Sequence, residues 1–140
     1  MAESTQSSLK AVGLSGSPSP NSRSKILLGH TLDLLAAQGI ATQLIDLADL
    51  PADALLMRRQ DSQIDEAIQQ TTGANIVILS TPIYRATYTG QLKVFFDLFP
   101  QNALRGIVTG LIATGASPAH ALAIDHGLRP LVARVGGLSA

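Results

Sequence analysis

Apolar positions along this chain switch between strand-like runs and helical spacing. Residues 9–15, "LKAVGLS", form an apolar run typical of a strand, and the apolar side chains of 26–35 then recur at helical spacing. This pattern predicts a helix that begins at Ser22 and ends with Gly39 as its C-cap. A second, short strand is expected at 41–47, "ATQLIDL".

The rest of the chain continues this alternation. The run at 75–81, "NIVILST", is rich in β-branched residues, as expected of a parallel strand buried on both faces. The remaining predicted elements are a Pro-containing segment at 49–60, a helix with Ile64, Ala67 and Ile68 on one face, a helix at 90–99, a strand from 106 and a helix at 119–135. This alternation predicts an α/β fold, a doubly wound parallel sheet with helices on both faces. We expect a single domain over 9–140, after a disordered polar tail at 1–8.

Composition narrows the possible functions. The 140 residues are 46% hydrophobic and only 14% charged, which favours burial of apolar surface in an oligomer. Ten basic residues balance ten acidic ones, so the basic excess typical of nucleic-acid or membrane-surface binding is absent. The start, "MAESTQSS", is unlike a signal peptide, and the longest apolar stretch falls short of the roughly 20 residues that span a bilayer. We therefore expect a cytoplasmic protein.

Metal and thiol chemistry are not expected either. The chain contains no cysteine, which excludes disulfides, thiolate metal sites and cysteine nucleophiles. The three histidines, His30, His120 and His126, share no ligand spacing, so we expect no metal site.

Three loops follow predicted strands and should meet at one edge of the sheet, where ligands bind in folds of this class. The first, "GSPSPNSRS" at 16–24, has too few glycines for a dinucleotide motif but is rich in hydroxyls. Ser22 as N-cap exposes free N–H groups and the positive end of the helix dipole, and Arg23 adds a bidentate donor. A single terminal phosphate suits this loop; the alternative is an ordinary strand–helix turn.

The other two loops offer surfaces for a flat ligand. The second, "TPIYRATYTG" at 81–90, holds both tyrosines of the chain and could hold a heterocycle by stacking and backbone hydrogen bonds. Its alternative is a surface loop whose tyrosines pack against neighbours or another subunit. The third, "ATGASPAH" at 113–120, has Gly115 for a tight turn and small residues that leave room for a ligand, although a plain turn explains it equally well.

These three loops, in this order and spacing, resemble the NADPH-dependent FMN reductases of two-component alkanesulfonate monooxygenase systems, and most of all the methanesulfonate-associated ones. The similarity runs from about residue 9 to 137, and 52–62, "ADALLMRRQDS", fits the family's loop after the second strand. The resemblance implies a flavodoxin-like fold with strand order 2-1-3-4-5. It also implies FMN and NADPH as cofactors. The implied phosphate contacts are Ser17, Ser22, Arg23 and Ser24, and the implied ring contacts are Pro82, Ile83, Tyr84, Arg85, Thr114, Gly115 and Ala116.

The activity implied is hydride transfer from NADPH to FMN, with reduced flavin released to a partner flavin-dependent monooxygenase in sulfur metabolism. Direct transfer between stacked rings needs no catalytic acid or base, so the named residues are positioning residues. Two other functions remain open. One is a flavoprotein that holds FMN tightly and reduces quinones, azo dyes or metal ions, and the other is a non-enzymatic flavodoxin-like electron carrier.

Two features concern the end of the chain. Relative to the resembled family, the fifth strand and last helix are expected to be missing, which would leave the fourth strand as an open edge. Pro130 lies inside the helical pattern of 119–135, and a π-bulge with His126 as the extra residue would accommodate it; a simple proline kink with His126 exposed is the alternative. The resemblance implies a homodimer or homotetramer in which His126 lies at a subunit boundary and influences flavin exchange.

Overall fold

The strands form one parallel sheet in the order β2-β1-β3-β4-β5, which confirms the flavodoxin-like α/β fold. The structure, a computed structural model, describes residues 8–140, so the predicted disordered tail lies outside the described residues except for Ser8. The strands are β1 (Lys10–Ser15), β2 (Ala41–Asp46), β3 (Ile76–Pro82), β4 (Val108–Thr114) and β5 (Leu138–Ser139). The helices are α1 (Arg23–Ala37), α2 (Ala52–Leu55), α3 (Ser62–Thr72), α4 (Gly90–Phe96) and α5 (Arg129–Arg134).

Helices cover both faces of the sheet. On one face, Leu28 and Leu32 of α1 pack against Ile78 of β3. The helix approaches closely because Gly13 of β1 has no side chain; a Cβ there would lie 2.8 Å from a methyl carbon of each leucine. The larger core lies on the other face, where α3, α4 and α5 pack on the sheet and Phe95 is fully buried. Within residues 8–140, the helices are all too short or too polar to traverse a lipid bilayer.

Several helix ends differ from the sequence-based expectation by a few residues. Gln38, not Gly39, is the C-cap of α1, and Gly39 follows it with φ of +82°, a conformation that favours glycine. The helix predicted at 90–99 ends at Phe96, because the N–H groups of Leu98 and Phe99 bond to carbonyls three residues back before Pro100.

The expectation that the fifth strand is missing was wrong. Leu138 and Ser139 pair in parallel with Val108 and Thr109, and the Ala140 N–H donates to the Thr109 carbonyl at 2.8 Å. The Thr109 hydroxyl also donates to the Leu138 carbonyl at 2.9 Å. The sheet therefore has five strands, although β5 covers only the first two residues of β4.

The helix predicted at 119–135 is a succession of three helical forms. A 3₁₀ turn at Pro118–His120 precedes a π-helical turn at Ile124–Leu128, which leads into α5. The Arg129 N–H donates to the Ile124 carbonyl, five residues back, which confirms the predicted π-bulge around His126. The wider turn accommodates Pro130, which has no N–H to donate.

One guanidinium fixes the segment between α2 and α3. Arg59 donates to the Asp53 carboxylate at 2.6 Å and to the Asp61 carboxylate at 2.5 Å. These hydrogen bonds hold the pKa of each carboxyl below its ordinary value of 3.8. Asp61 also caps α3 by accepting a hydrogen bond from the Gln63 N–H at 2.8 Å.

Acid should therefore weaken the fold through these carboxylates. Because the pKa values of Asp53 and Asp61 are lower in the folded chain, their contribution to the free energy of unfolding is complete above about pH 4. It is lost as the pH falls through the pKa values of the folded state. Replacing Arg59 with glutamine should lower the urea midpoint at about pH 7 and have a smaller effect at about pH 3. An equal effect at both pH values would contradict this assignment.

Candidate functional site

The first loop is anchored to the sheet at both of its ends. The Gly16 N–H donates to the Ser80 carbonyl of β3 at 2.8 Å, and the Ser80 hydroxyl donates to the Ser24 carbonyl at 2.7 Å. Within the loop, the Ser17 hydroxyl accepts from the Ser19 N–H at 3.2 Å, and the Ser19 hydroxyl accepts from the Asn21 N–H at 3.3 Å. The loop therefore has a defined shape at the carboxyl end of β1.

The first turn of α1 has features that suit an anion. Ser22 is the N-cap, as predicted, and its hydroxyl accepts from the Lys25 N–H at 3.3 Å. The remaining N–H groups of the first turn have no helical carbonyl to bond, and the dipole of this 15-residue helix is positive here. Arg23 is exposed beside them. Ser24 is fully buried, and its hydroxyl lies 2.7 Å from that of Ser22 rather than facing the loop.

A second cation near this turn is already paired. The Lys25 ammonium donates to the Asp46 carboxylate at 2.5 Å, and this hydrogen bond raises the pKa of Lys25. Asp46 also caps the short 3₁₀ turn after β2 by accepting from the Ala48 N–H at 3.1 Å. Because Lys25 is paired, the positive side chain available to an anion at this end of α1 is that of Arg23.

The second loop contains a tight turn with unusual backbone angles. Tyr84 and Thr87 pair as an antiparallel bridge, with the Tyr84 N–H donating to the Thr87 carbonyl at 2.9 Å. The two residues between them, Arg85 and Ala86, have φ of +51° and +75°. Two consecutive positive φ values are the signature of a type I′ turn, which usually uses asparagine or glycine. Strained residues of this kind concentrate at functional sites.

Thr89 connects the second loop to the first. Its buried hydroxyl donates to the Gly16 carbonyl at 2.6 Å and accepts from the Leu92 N–H at 3.2 Å, which caps α4. The Thr89 N–H donates to the Thr81 hydroxyl at 3.2 Å. One side chain thus fixes both the distance between two loops and the start of a helix.

Loss of that hydroxyl should be costly. Replacing Thr89 with alanine removes the cap of α4 and leaves the buried Gly16 carbonyl without its partner, so the free energy of unfolding should fall by about 1–3 kcal/mol. Denaturant unfolding of Thr89→Ala measures this, and Thr89→Ser, which keeps the hydroxyl, is the matched control. If the serine and alanine variants were equally destabilised, the methyl group rather than the hydroxyl would be responsible.

The third loop lies against the second. The Ile83 N–H donates to the Thr114 carbonyl at 2.9 Å. His120 folds back over Gly115, so that a Cβ on this glycine would lie 2.6 Å from His120 Nδ1. Among the described residues, this buried nitrogen has no hydrogen-bond partner.

The three loops enclose one open cleft of about 640 Å³ at the carboxyl edge of the sheet, a volume in the range of small-ligand sites. It lies where the strand order reverses between β1 and β3, the place where ligands bind in such sheets. Its lining contains most of the residues predicted from the sequence: Ser17, Ser22, Arg23, Pro82, Ile83, Tyr84, Thr114, Gly115 and Ala116.

Two predicted residues are not brought into the cleft lining. Ser24 is fully buried, with its hydroxyl 2.7 Å from that of Ser22, and Arg85 is exposed on the strained turn, outside the lining. The lining adds Ser19, Asn21 and Ala113, which were not among the predicted contacts. Ser19 and Asn21 could have been found from their place in the same hydroxyl-rich loop. His126, which was predicted to influence flavin exchange, lies outside the cleft lining and is exposed on the π-helical turn.

The charge distribution of the cleft is simple. Among the described residues that line it, Arg23 alone carries a full charge. A second hollow of about 420 Å³ lies near Pro18 and is lined mainly by aliphatic side chains of the segment after β2 and of α4. None of the described residues that line this hollow is charged, so it holds no group that would orient an ionic ligand.

Comparison with known proteins shows the family of the chain. The sequence profile described as "NADPH-dependent FMN reductase" matches residues 9–139. The chain belongs to this family. Within it, the chain is 40% identical over 122 residues to an FMN reductase (NADPH) of Pseudomonas putida, covering 86% of this chain and 62% of that protein. It is also 40% identical over 127 residues to the NADH-dependent FMN reductase SfnF of Pseudomonas fluorescens, covering 88% and 68%.

A solved structure shows the same architecture. The apo form of an NADH:FMN oxidoreductase (EMOB) superposes with a TM-score of 0.90 at 41% identity, covering 94% of this chain and 72% of that one. This FMN reductase family member therefore has the family's fold across nearly all of its described residues. It spans less than two thirds of the length of the Pseudomonas putida relative.

Proposed function

We propose that this protein binds FMN in the cleft and transfers a hydride to it from a reduced nicotinamide nucleotide. The observation that carries the proposal is the cleft itself, which lies at the switch point of the sheet and combines Arg23 and the N-terminus of α1 with a lining that is otherwise uncharged among the described residues. The FMN reductases among its relatives, named for either NADPH or NADH, support the same activity.

The residues around the N-terminus of α1 fit a phosphate monoester. Ser17 and Ser22 supply hydroxyls, α1 supplies free N–H groups, and Arg23 supplies a guanidinium fork. No carboxylate is among the described residues that line the cleft, so nothing there repels the phosphate. Because Lys25 pairs with Asp46, Arg23 is the one charged side chain among the described residues that line the cleft, which suits a single terminal phosphate.

The uncharged part of the lining fits a flat ring. Pro82 and Ile83 extend β3 into the cleft, and Tyr84 is about half exposed, at 48%, beside them. Gly115 and Ala116 form the opposite side with side chains too small to fill it. We propose that the isoalloxazine ring lies between these two segments and that Arg85, exposed on the turn next to Tyr84, contacts its edge.

The chain contributes position rather than acid–base chemistry. The flavin, when bound, supplies the hydride acceptor. Hydrogen bonds from the first loop and Arg23 would hold the phosphate and so position the flavin in the cleft. The Tyr84–Thr87 turn and the third loop would hold the ring of the flavin, to which the nicotinamide would have to gain access. Correct stacking of two bound rings is the principal source of rate in a direct hydride transfer.

Steady-state kinetics with and without free FMN tests this function. We expect NADPH or NADH oxidation to rise and saturate with added FMN, as it does when flavin is a substrate. A rate independent of added FMN would indicate the tightly bound flavoprotein that reduces quinones, azo dyes or metal ions. A stable one-electron state during titration, without nicotinamide oxidation, would indicate the electron carrier.

We further propose that reduced flavin passes to a flavin-dependent monooxygenase of the alkanesulfonate or methanesulfonate type, and that the chain forms a homodimer or homotetramer. Exposed apolar side chains such as Ile26, Leu34 and Met57 support self-association. His126, exposed on the π-helical turn, is placed in this proposal at the subunit boundary, where it influences flavin exchange.

Deletion of His126 should restore a regular helical register. We expect this variant to retain flavin more tightly and to form a less stable oligomer. Light scattering measures the oligomeric state, and the dissociation rate of FMN measures exchange. Unchanged values of both would contradict the role proposed for His126.

A further inference from the structure

The π-helical turn touches the second loop through a glycine. A Cβ added to Gly127 would lie 2.6 Å from Thr87 Oγ1, closer than such atoms approach in proteins, and 3.4 Å from a ring carbon of Tyr88. The backbone of the turn and the side chain of Thr87 are therefore in direct contact. This contact does not involve the cleft lining itself.

Thr87 is also the residue that closes the strained turn. Its carbonyl accepts from the Tyr84 N–H at 2.9 Å, and its own N–H donates to the Tyr84 carbonyl at 3.4 Å. Arg85 and Ala86 keep positive φ between these two residues. A strained backbone of this kind persists only where neighbouring structure holds it. The π-helical turn, seated on Thr87, is such a neighbour.

We infer that Gly127 is a positioning residue for the second loop, and through Tyr84 for the ring end of the cleft. This inference rests on the proposed function in so far as the ring is that of a flavin. Because residue 127 has no side chain, the π-helical turn packs directly against Thr87. This packing holds the Tyr84–Thr87 turn in the position in which Tyr84 lines the cleft. A methyl group at 127 displaces Thr87 and moves this turn.

The second loop contains tyrosines that can report its position by fluorescence. The chain has no tryptophan and two tyrosines, Tyr84 and Tyr88, and both lie in the second loop. Tyrosine fluorescence and its quenching by acrylamide therefore report the position of this loop with no flavin present. This readout is independent of the proposed function.

The test compares Gly127→Ala with Gly127→Ala/Thr87→Ala and Gly127→Ala/Thr87→Val. Alanine is a better helix former than glycine, so the melting temperature of Gly127→Ala should not fall through helix propensity. We expect its FMN and riboflavin dissociation constants to rise together by about tenfold, since the ring and not the phosphate is affected. Tyrosine quenching should change in parallel. Thr87→Ala, which clears the space, should restore both readouts, whereas Thr87→Val, which keeps the volume, should not.

Gly29→Ala is the matched control, because a Cβ there meets no atom within 4 Å in the middle of α1. It should leave flavin affinity and tyrosine quenching unchanged. If the unsubstituted chain binds FMN and Gly127→Ala binds it equally well, the inference is overturned while the proposed function stands. If the chain binds no FMN, the proposed function fails, and unchanged tyrosine quenching in Gly127→Ala would then overturn the loop-positioning role too. Failure of Thr87→Ala to rescue would likewise overturn it.

Discussion

Replacing Arg23 with alanine should weaken FMN binding by about 1.5–3 kcal/mol, roughly 10- to 150-fold in the dissociation constant, because a charge-assisted hydrogen bond to the phosphate is lost. Riboflavin, which has no phosphate, should bind almost as well to the variant as to the original chain. The reason for this selectivity is positional: Arg23 lies in the first turn of α1, where we propose that the phosphate binds, whereas the proposed ring site lies between the second and third loops. Isothermal titration with both flavins measures the two affinities.

Two further variants sharpen this prediction. Arg23→Lys keeps the charge but loses the planar fork, so its affinity for FMN should fall between those of alanine and arginine. Arg134→Ala makes the same change in net charge on an exposed residue in the last turn of α5, outside the cleft lining, and should leave FMN affinity unchanged. Equal losses for FMN and riboflavin in Arg23→Ala would remove the phosphate site from this account.

Replacing Phe95 with alanine should lower the free energy of unfolding by about 3–5 kcal/mol, because a large buried ring is removed and a cavity remains. Phe95 is fully buried in the main core and packs edge-on against Phe99, with ring centroids 5.1 Å apart. Phe95 also anchors α4 in the core, and α4 begins at Gly90, the last residue of the second loop. This loss is a large part of the 5–15 kcal/mol that stabilises a typical domain.

Denaturant unfolding of three variants measures this effect. Phe95→Leu, which keeps much of the apolar volume, should be clearly more stable than Phe95→Ala. Phe99→Ala is the matched control, since the same ring is removed from a position that is only half buried, and it should be destabilised less. Equal destabilisation at 95 and 99 would contradict the burial described here.

The fold class could be predicted from the sequence because its strongest signals are local. Runs such as 75–81 are apolar along their whole length, and the parallel sheet follows from their alternation with helices. The Ser22 cap and the π-bulge were also predicted, since each depends on chemistry within a few residues, the serine hydroxyl in one case and the missing N–H of Pro130 in the other.

Features that depend on distant contacts could not be predicted in this way. Ser22 and Ser24 look equivalent in the sequence, but Ser22 caps the helix and lines the cleft, whereas Ser24 is fully buried with its hydroxyl 2.7 Å from that of Ser22. The pairing of Leu138 with Val108 joins residues far apart in the chain, and two residues carry no strand pattern of their own. The contact between Gly127 and Thr87 was missed for the same reason; an unexplained glycine inside a helical pattern was its only local signal.

The most direct test of the central claim is a single anaerobic turnover. The chain is mixed with FMN and then with one equivalent of NADPH or NADH in the absence of oxygen, and the visible absorbance of the flavin is followed together with that of the nicotinamide. We expect the two signals to disappear at the same rate and in equal amounts, far faster than in the same mixture without protein. With Arg23→Ala, both should disappear more slowly at low FMN concentration. Flavin reduction no faster than in the mixture without protein, with either nucleotide, would contradict the proposed hydride transfer.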